Sequence, residues 1–339
     1  MSVIESNRIG GERDFCAQAQ NISSAPILTT YKKDVDIYYN PIQHYGLTQS
    51  DYKLVEQKLV KQRTYLKSHF VYHVLARKRI PLEELVVSAN HNSDRYYALI
   101  QNRINTLTQE AKDKNLFPVF MTITLPSEYH KMKFNNRTKK LIPNPKYSYI
   151  TPRESVKVLT KMFAKLRHDR SLKELSRDER IYFRVNEPHK NGTPHTHVLL
   201  FLPKERVERV VTAFKRLFNS KANDIQTNIN NATAYVMKYI NKTLPLSKKA
   251  NLSEKEKYLN AWYSRHRITR FNSSKTLAPL KLYRLLYEKY TLGQLTKLVH
   301  TKKLKIFVPI DDMQKIIEVF DGDELVYRRS DNFIVGSGL

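Results

Sequence analysis

Residues 187–203 read EPHKNGTPHTHVLLFLP, and residues 181–188 just before them read IYFRVNEP. Two apolar runs flank a short polar connection, and Asn191-Gly192 between them is the strongest local signal for a β-hairpin. Pro203 closes the second run. On a strand, residues two apart point to the same face, so His195 and His197 present two imidazoles side by side. That is the arrangement of two ligands of one metal ion. The competing reading is two exposed histidines on an edge strand.

A third ligand depends on the hairpin register. With a two-residue loop at Asn191-Gly192, Glu187 faces Thr196 and lies on the wrong side of the sheet. With an odd loop of Asn191 to Thr193, Glu187 pairs with His197 and His189 with His195, and all four share one face. Pro194 disfavours a regular tight turn and favours the odd loop. Glu187 and His189 both remain open as the third ligand. A carboxylate with two imidazoles and free positions suits Mg²⁺, Mn²⁺ or Zn²⁺, and use on phosphodiesters favours the first two.

Working outward, LFPVFMTITLP (116–126) is apolar and β-branched and stops at a proline, as a buried strand does. Thr122 and Thr124 alternate along it and could sit under the site, although sheet packing is the simpler account. Helical spacing is predicted over 51–79, 94–114, 152–168, 204–218 and 231–244. Beyond residue 251 further helices are expected, and short strands return at KIFVPI and LVYRR. The fold class is therefore α+β, a central antiparallel sheet flanked by helices, with a helical N-terminal region and a small mixed C-terminal region. The expected division is an irregular arm over 1–47, a helical region over 48–115, the core over 116–250 and a helical and short-strand region over 251–339.

The chain of 339 residues has 59 Lys+Arg against 32 Asp+Glu, a net charge of +27 and a pI near 9.9. Such an excess suits a polyanionic partner, nucleic acid before an anionic membrane. Residues 131–170 hold 12 Lys+Arg and 2 Asp+Glu, which makes them a candidate surface for tracking phosphates. No apolar run is long enough to span a bilayer, so no membrane partner is expected. The single cysteine, Cys16, and the lack of a signal-peptide pattern point to a reducing, cytoplasmic setting.

On the helix over 231–244, Tyr235 and Tyr239 stand four apart on one face, with Lys238 and Lys242 as a second such pair beside them. A tyrosine hydroxyl can attack a phosphodiester and stay linked to it when a metal polarises the phosphate oxygens. Two hydroxyls permit two successive transfers. With 21 tyrosines the spacing also arises by chance, and Tyr283 and Tyr287 repeat it in KLYRLLYEKY. Each lysine reads equally as part of a solvated helix face.

FMTITLP (120–126), EPHKNGTPHTHVLLF (187–201) and AYVMKYINK (234–242) resemble, in this order, the three motifs of the HUH endonucleases, specifically rolling-circle replication initiators like the bacteriophage gene A proteins. The likeness extends more weakly to RHRITRF (265–271). Thr196 departs from the hydrophobic residue usual between the histidines. The resemblance implies a site- and strand-specific DNA nicking and joining enzyme using Mg²⁺ or Mn²⁺. His195, His197 and Glu187 would hold the metal, and Tyr235 or Tyr239 would form a 5′-phosphotyrosine. Lys238 and Lys242 would steady the phosphate or leaving oxygen. Its partners would be single-stranded or supercoiled origin DNA and a host helicase and DNA polymerase. Arg265, Arg267 and Arg270 with Phe271 combine charge and an aromatic ring suited to single-stranded DNA, or form a charged linker. A relaxase or transposase of the same chemistry and a non-enzymatic basic DNA-binding protein are the alternatives.

Overall fold

A computed structural model of the chain describes residues 42–74, 77–244, 251–309, 311–312, 315–329 and 333–337. The described part opens with a small hairpin, β1 (Ile42–His44) and β2 (Leu47–Thr48), turned at Tyr45 and Gly46. This segment falls within the expected irregular arm; the rest of that arm, residues 1–41, lies outside the described residues.

Helix α1 (Gln49–Ser68) starts at a capping box in which the Thr48 side chain accepts from the Asp51 backbone and the Asp51 carboxylate answers at Thr48. It ends ten residues or so before the expected boundary at 79, because HFVYH (69–73) is β-branched and aromatic. That run forms β3 (His69–His73), which pairs with β4 (Lys78–Pro81). Helix α2 (Ser93–Asp113) follows, close to the predicted span.

The central sheet is built from β5 (Phe117–Thr124), β8 (Ile181–Pro188), β9 (Pro194–Leu202), β10 (Asp224–Gln226) and β11 (Phe271–Ser273). Its order is β10-β5-β9-β8-β11, with every pairing antiparallel. Between β5 and β8, the basic 131–150 stretch folds as a two-stranded ribbon, β6 (Met132–Asn135) and β7 (Lys140–Pro143).

Helices cover both faces, which explains why β5 and β9 read as almost continuous apolar runs rather than alternating ones. On one face Val119, Met121, Ile123, Val198 and Leu200 pack against Leu159 and Phe163 of α3 (Pro152–Arg167) and Val210 and Phe214 of α4 (Val207–Leu217). On the other, Phe120, Phe183, Val185 and Leu199 meet Ile104 and Leu107 of α2 and Val236 and Ile240 of α5 (Ala232–Thr243). Apolar residues alone form most of these two layers. The polar site sits where they give out, at the β8–β9 end.

The sheet runs past residue 250, since β11 is its edge strand beside β8. Between them in sequence, α6 (Glu254–His266) packs Tyr258, Leu259 and Trp262 against Tyr45, Leu47 and Val55. A separate cluster gathers α7 (Leu280–Leu286) and α8 (Leu292–His300) with the three-stranded sheet of β12 (Leu304–Phe307), β13 (Glu318–Asp321) and β14 (Glu324–Arg328). The last strand, β15 (Phe333–Ser337), pairs with β3. Among the described residues no helix is long and apolar enough to cross a membrane.

Candidate metal and tyrosine site

The β8–β9 register pairs Pro188 with Pro194, Glu187 with His195 and Val185 with His197. Beyond it, the His189 amide donates to the Thr193 carbonyl at 2.8 Å and the Gly192 amide to the His189 carbonyl at 2.9 Å. The turn is thus the odd loop Lys190 to Gly192. It is neither the two-residue loop nor the Asn191-to-Thr193 loop, so Glu187 faces His195 directly and His197 diagonally. An odd loop preserves the parity, and all three side chains share the face lined by α2 and α5.

Two contacts from distant parts of the chain fix this loop. Trp262 donates its indole N–H to the Gly192 carbonyl at 3.0 Å. Gly192, at φ +87°, lies against the β1–β2 turn so closely that a Cβ on it would meet the Tyr45 carbonyl oxygen at 2.3 Å. Gly46 reciprocates, with a Cβ position 2.7 Å from the Asn191 carbonyl oxygen. Both positions require glycine, for backbone angle and for space.

The His195 and His197 Nε2 atoms are 3.0 Å apart, and Glu187 Oε2 stands 3.9 Å and 3.7 Å from them. All three side chains are buried, and their ligand atoms fall within 4.8 Å of one another. His197 Nδ1 is 3.1 Å from the Thr122 hydroxyl. With Nδ1–H donating there, the His197 Nε2 lone pair is turned into the site. Burial first, then the neighbouring His189 and His197, hold His195 well below the usual imidazole range, so it is neutral at pH 7.

Two imidazole nitrogens that approach to 3.0 Å need a proton or a cation between them. Burial alone would raise the Glu187 pKa, but its His197 and Lys242 partners outweigh this and keep the carboxylate ionised. Glu187 Oε1 is buried without a hydrogen-bond partner among the described residues. The donor set, two imidazoles and an acid with a spare oxygen, fits a divalent cation. His189 joins by its ring, stacked 4.2 Å from that of His195, and its own pKa is pushed down to about 4 by burial and then by His130.

Helix α5 stands over the same face. Its N-cap, Asn231, accepts from the Ala234 amide. The Tyr239 ring lies 4.0 Å from that of His197 and 5.3 Å from that of Phe120. Tyr235, one turn earlier, packs edge-on to Phe120 and donates its hydroxyl to Gln226 Oε1 on β10 at 2.9 Å. Burial, then the Tyr235 hydroxyl, then the charge of Glu187 push the Tyr239 phenol well up from its ordinary range. Lys242 donates to Glu187 Oε2 at 2.6 Å, while Lys238 faces solvent. Tyr283 instead packs into the separate α7–α8 cluster.

The 265–271 cluster does not form a basic surface. Arg270 is buried, donates to the Thr243 carbonyl and to the Asn260 side chain, and lies 4.0 Å over the Tyr263 ring. Phe271 is buried as the first residue of β11. Arg265 donates to Asp51 at 2.9 Å, and of the three arginines only Arg267 is exposed. Their charge reads as surface in a sequence, but strand pairing and the α6 packing draw Arg270 and Phe271 inside.

Sequence reasoning weighed a place for Thr122 under the site but preferred sheet packing, and it gave no role to Gln226 or Trp262. The alternation of Thr122 opposite the His-x-His pair was the available signal for the first. Thr196, the departure from the motif, is fully buried with its hydroxyl donated to the Val185 carbonyl at 3.3 Å, so the polar atom is satisfied.

An acid and two histidines that could hold a metal ion thus stand beside a helix bearing two tyrosines, on one face of an antiparallel sheet. Consistent with this, the profile of the bacteriophage replication gene A protein (GPA) family matches residues 47–246. The chain belongs to this family. It is 33% identical over 180 residues to a probable replication endonuclease from a prophage-like region of Salmonella typhi, covering 45% of this chain and 21% of that one. It is 33% identical over 194 residues to the replication gene A protein of Escherichia phage 186, covering 49% and 26%. With the replication protein of Haemophilus phage HP1 it shares 28% identity over 203 residues, covering 54% and 24%. The chain thus spans about a quarter of the length of these curated relatives. No solved structure gives a significant match.

Proposed function

We propose that the chain is a rolling-circle replication initiator whose sheet carries a DNA nicking and rejoining site. One observation supports this most: Glu187, His195 and His197 converge on the sheet face where the Tyr239 ring packs against His197. In this reading those three residues hold Mg²⁺ or Mn²⁺, and such an ion would withdraw charge from the phosphate and offset the Glu187 charge that raises the Tyr239 pKa.

Tyr239 is the first nucleophile. Its phenolic oxygen gives up its proton to solvent and bonds to the scissile phosphorus as the bond from phosphorus to the 3′ oxygen breaks, and that oxygen takes a proton from solvent, leaving a 5′-phosphotyrosine and a free 3′-OH. Lys238 and Lys242 steady the phosphate oxygens or the leaving oxygen. Attack of a 3′-OH on the phosphotyrosine reverses the step without ATP, because the bond energy is retained. Tyr235, held by Gln226, is the second nucleophile, which cuts the regenerated origin. A host polymerase and helicase extend and unwind from the free 3′ end.

The test is incubation of the protein with supercoiled or single-stranded DNA of its own replicon and Mg²⁺. A covalent adduct at a 5′ phosphate is the expected result. The absence of adduct with Mg²⁺ and with Mn²⁺ on the cognate origin overturns the reading.

A further inference from the structure

On β8, residues alternate between the two faces of the sheet, so Asn186 and Arg184 point away from the face that carries Glu187. There, beside the β11 edge, a cavity of about 240 Å³ is lined by Arg153 and Lys157 of α3, Arg184 and Asn186 of β8, and Arg267 and Asn272 near the β11 edge. Four of these six side chains are cationic, and no carboxylate lines the cavity among the described residues.

Two of its groups are buried with unmet hydrogen-bonding capacity. Arg184 is 5% exposed; it donates to the Thr160 hydroxyl at 3.2 Å, while its Nε has no partner. A buried guanidinium without a counter-charge is costly and calls for an anion. Asn186 is fully buried and donates its amide N–H to the Thr269 carbonyl at 2.8 Å. That bond fixes the amide's orientation, and its Oδ1, left without a partner, is an acceptor that calls for an N–H or O–H donor. At the rim, Arg267 caps α6 in the left-handed region at φ 51°, a conformation that costs a bulky residue on the order of 1 kcal/mol.

At roughly 30 Å³ per water, the space equals about eight waters, far more than one oxyanion requires. An anion, a hydrogen-bond donor and this volume together describe a nucleotide. We propose that the cavity is a nucleotide subsite on the reverse face of the sheet. The cations take the phosphate, and Asn186 Oδ1 accepts from an N–H on the edge of the base. The occupant is one nucleotide of a single strand passing over the β11 edge. This rests on the reading of the chain as a DNA-handling protein but not on its tyrosine chemistry.

The experiment measures anisotropy of a labelled single-stranded oligodeoxynucleotide with the full chain in EDTA, with nicking scored separately in Mg²⁺. Lys157→Gln with Arg267→Gln, both exposed positions, is expected to weaken binding by about tenfold or more, whereas Lys61→Gln with Lys67→Gln on α1 changes it little. Equal losses from the two pairs mean diffuse charge attraction and overturn the subsite. In a second arm dAMP competes with the oligonucleotide, and its phosphorus resonance broadens with the wild-type chain but not with the Lys157→Gln, Arg267→Gln variant. Inorganic phosphate competing as well as dAMP removes the base contact and overturns the nucleotide assignment; dAMP failing to compete overturns it also. Nicking that fails while this binding pattern holds sinks the function proposed above and leaves the subsite standing.

Discussion

The ring of Tyr239 rests 4.0 Å from that of His197, whereas Tyr235, one helical turn away, is tied to Gln226 on the edge strand β10. The spacing that makes the two tyrosines look equivalent conceals two different environments. Tyr239→Phe is expected to lower the first-round covalent adduct by about a thousandfold or more, while Tyr235→Phe retains it and loses repeated circle release. Denaturing gels of adduct and product circles check this. Full multi-round release by either variant would refute the alternating scheme.

Thr122→Val keeps the shape of β5 but removes the oxygen that orients His197. Loss of such an outer contact costs about 10- to 100-fold in metal affinity. Calorimetric titration with Mn²⁺ is the measurement, with circular dichroism confirming the fold. An unchanged affinity would show that strand geometry alone aims the imidazole.

Arg270→Met should act on stability rather than on DNA. It strips hydrogen bonds from the Thr243 carbonyl and the Asn260 side chain, and the expected loss is about 2–4 kcal/mol in urea denaturation. Oligonucleotide affinity of the folded variant stays at the wild-type level. A variant with wild-type stability and weakened DNA binding would restore Arg270 to the binding surface.

His266 provides a pH dependence away from the metal site. Burial, then the adjacent Arg265, depress its pKa to about 4 from an ordinary 6.5. Between these values the unfolded chain binds the proton and the folded chain does not. Stability from the neutral imidazole is therefore complete above pH 6.5 and declines as pH falls toward about 4, by on the order of 3 kcal/mol in total. His266→Phe, with the ring still against Trp262, should flatten the fall of melting temperature across that window. Parallel curves for the two proteins would exclude His266 as a contributor.

Much of this architecture is local and hence legible in the residues. The β-branched run of β5, the β8–β9 hairpin and the tyrosine helix each carry their period in sequence, and an odd loop was readable from Pro194 beside Asn191-Gly192. What escaped depends on distant segments. The particular odd loop is set by Trp262 and Gly46, which lie 70 and 146 residues away in the chain. Strand β10 is three residues, DIQ, too short to show any period, yet it holds the partner of Tyr235. Arg270 carries a charge that pattern reading assigns to the surface, and the pairing of β11 with β8 together with its contacts to Asn260 and Tyr263 of α6 explains its burial.

The contact of Gly192 with Gly46 also limits how the site can vary. Where two side chains collide, trimming one makes room for growth in the other. Here the obstruction on each side is backbone, Tyr45 oxygen against one turn and Asn191 oxygen against the other, so nothing remains to be trimmed. A larger residue at either glycine has no second-site suppressor in its partner. The two turns form a joint that can be preserved or lost, but not renegotiated.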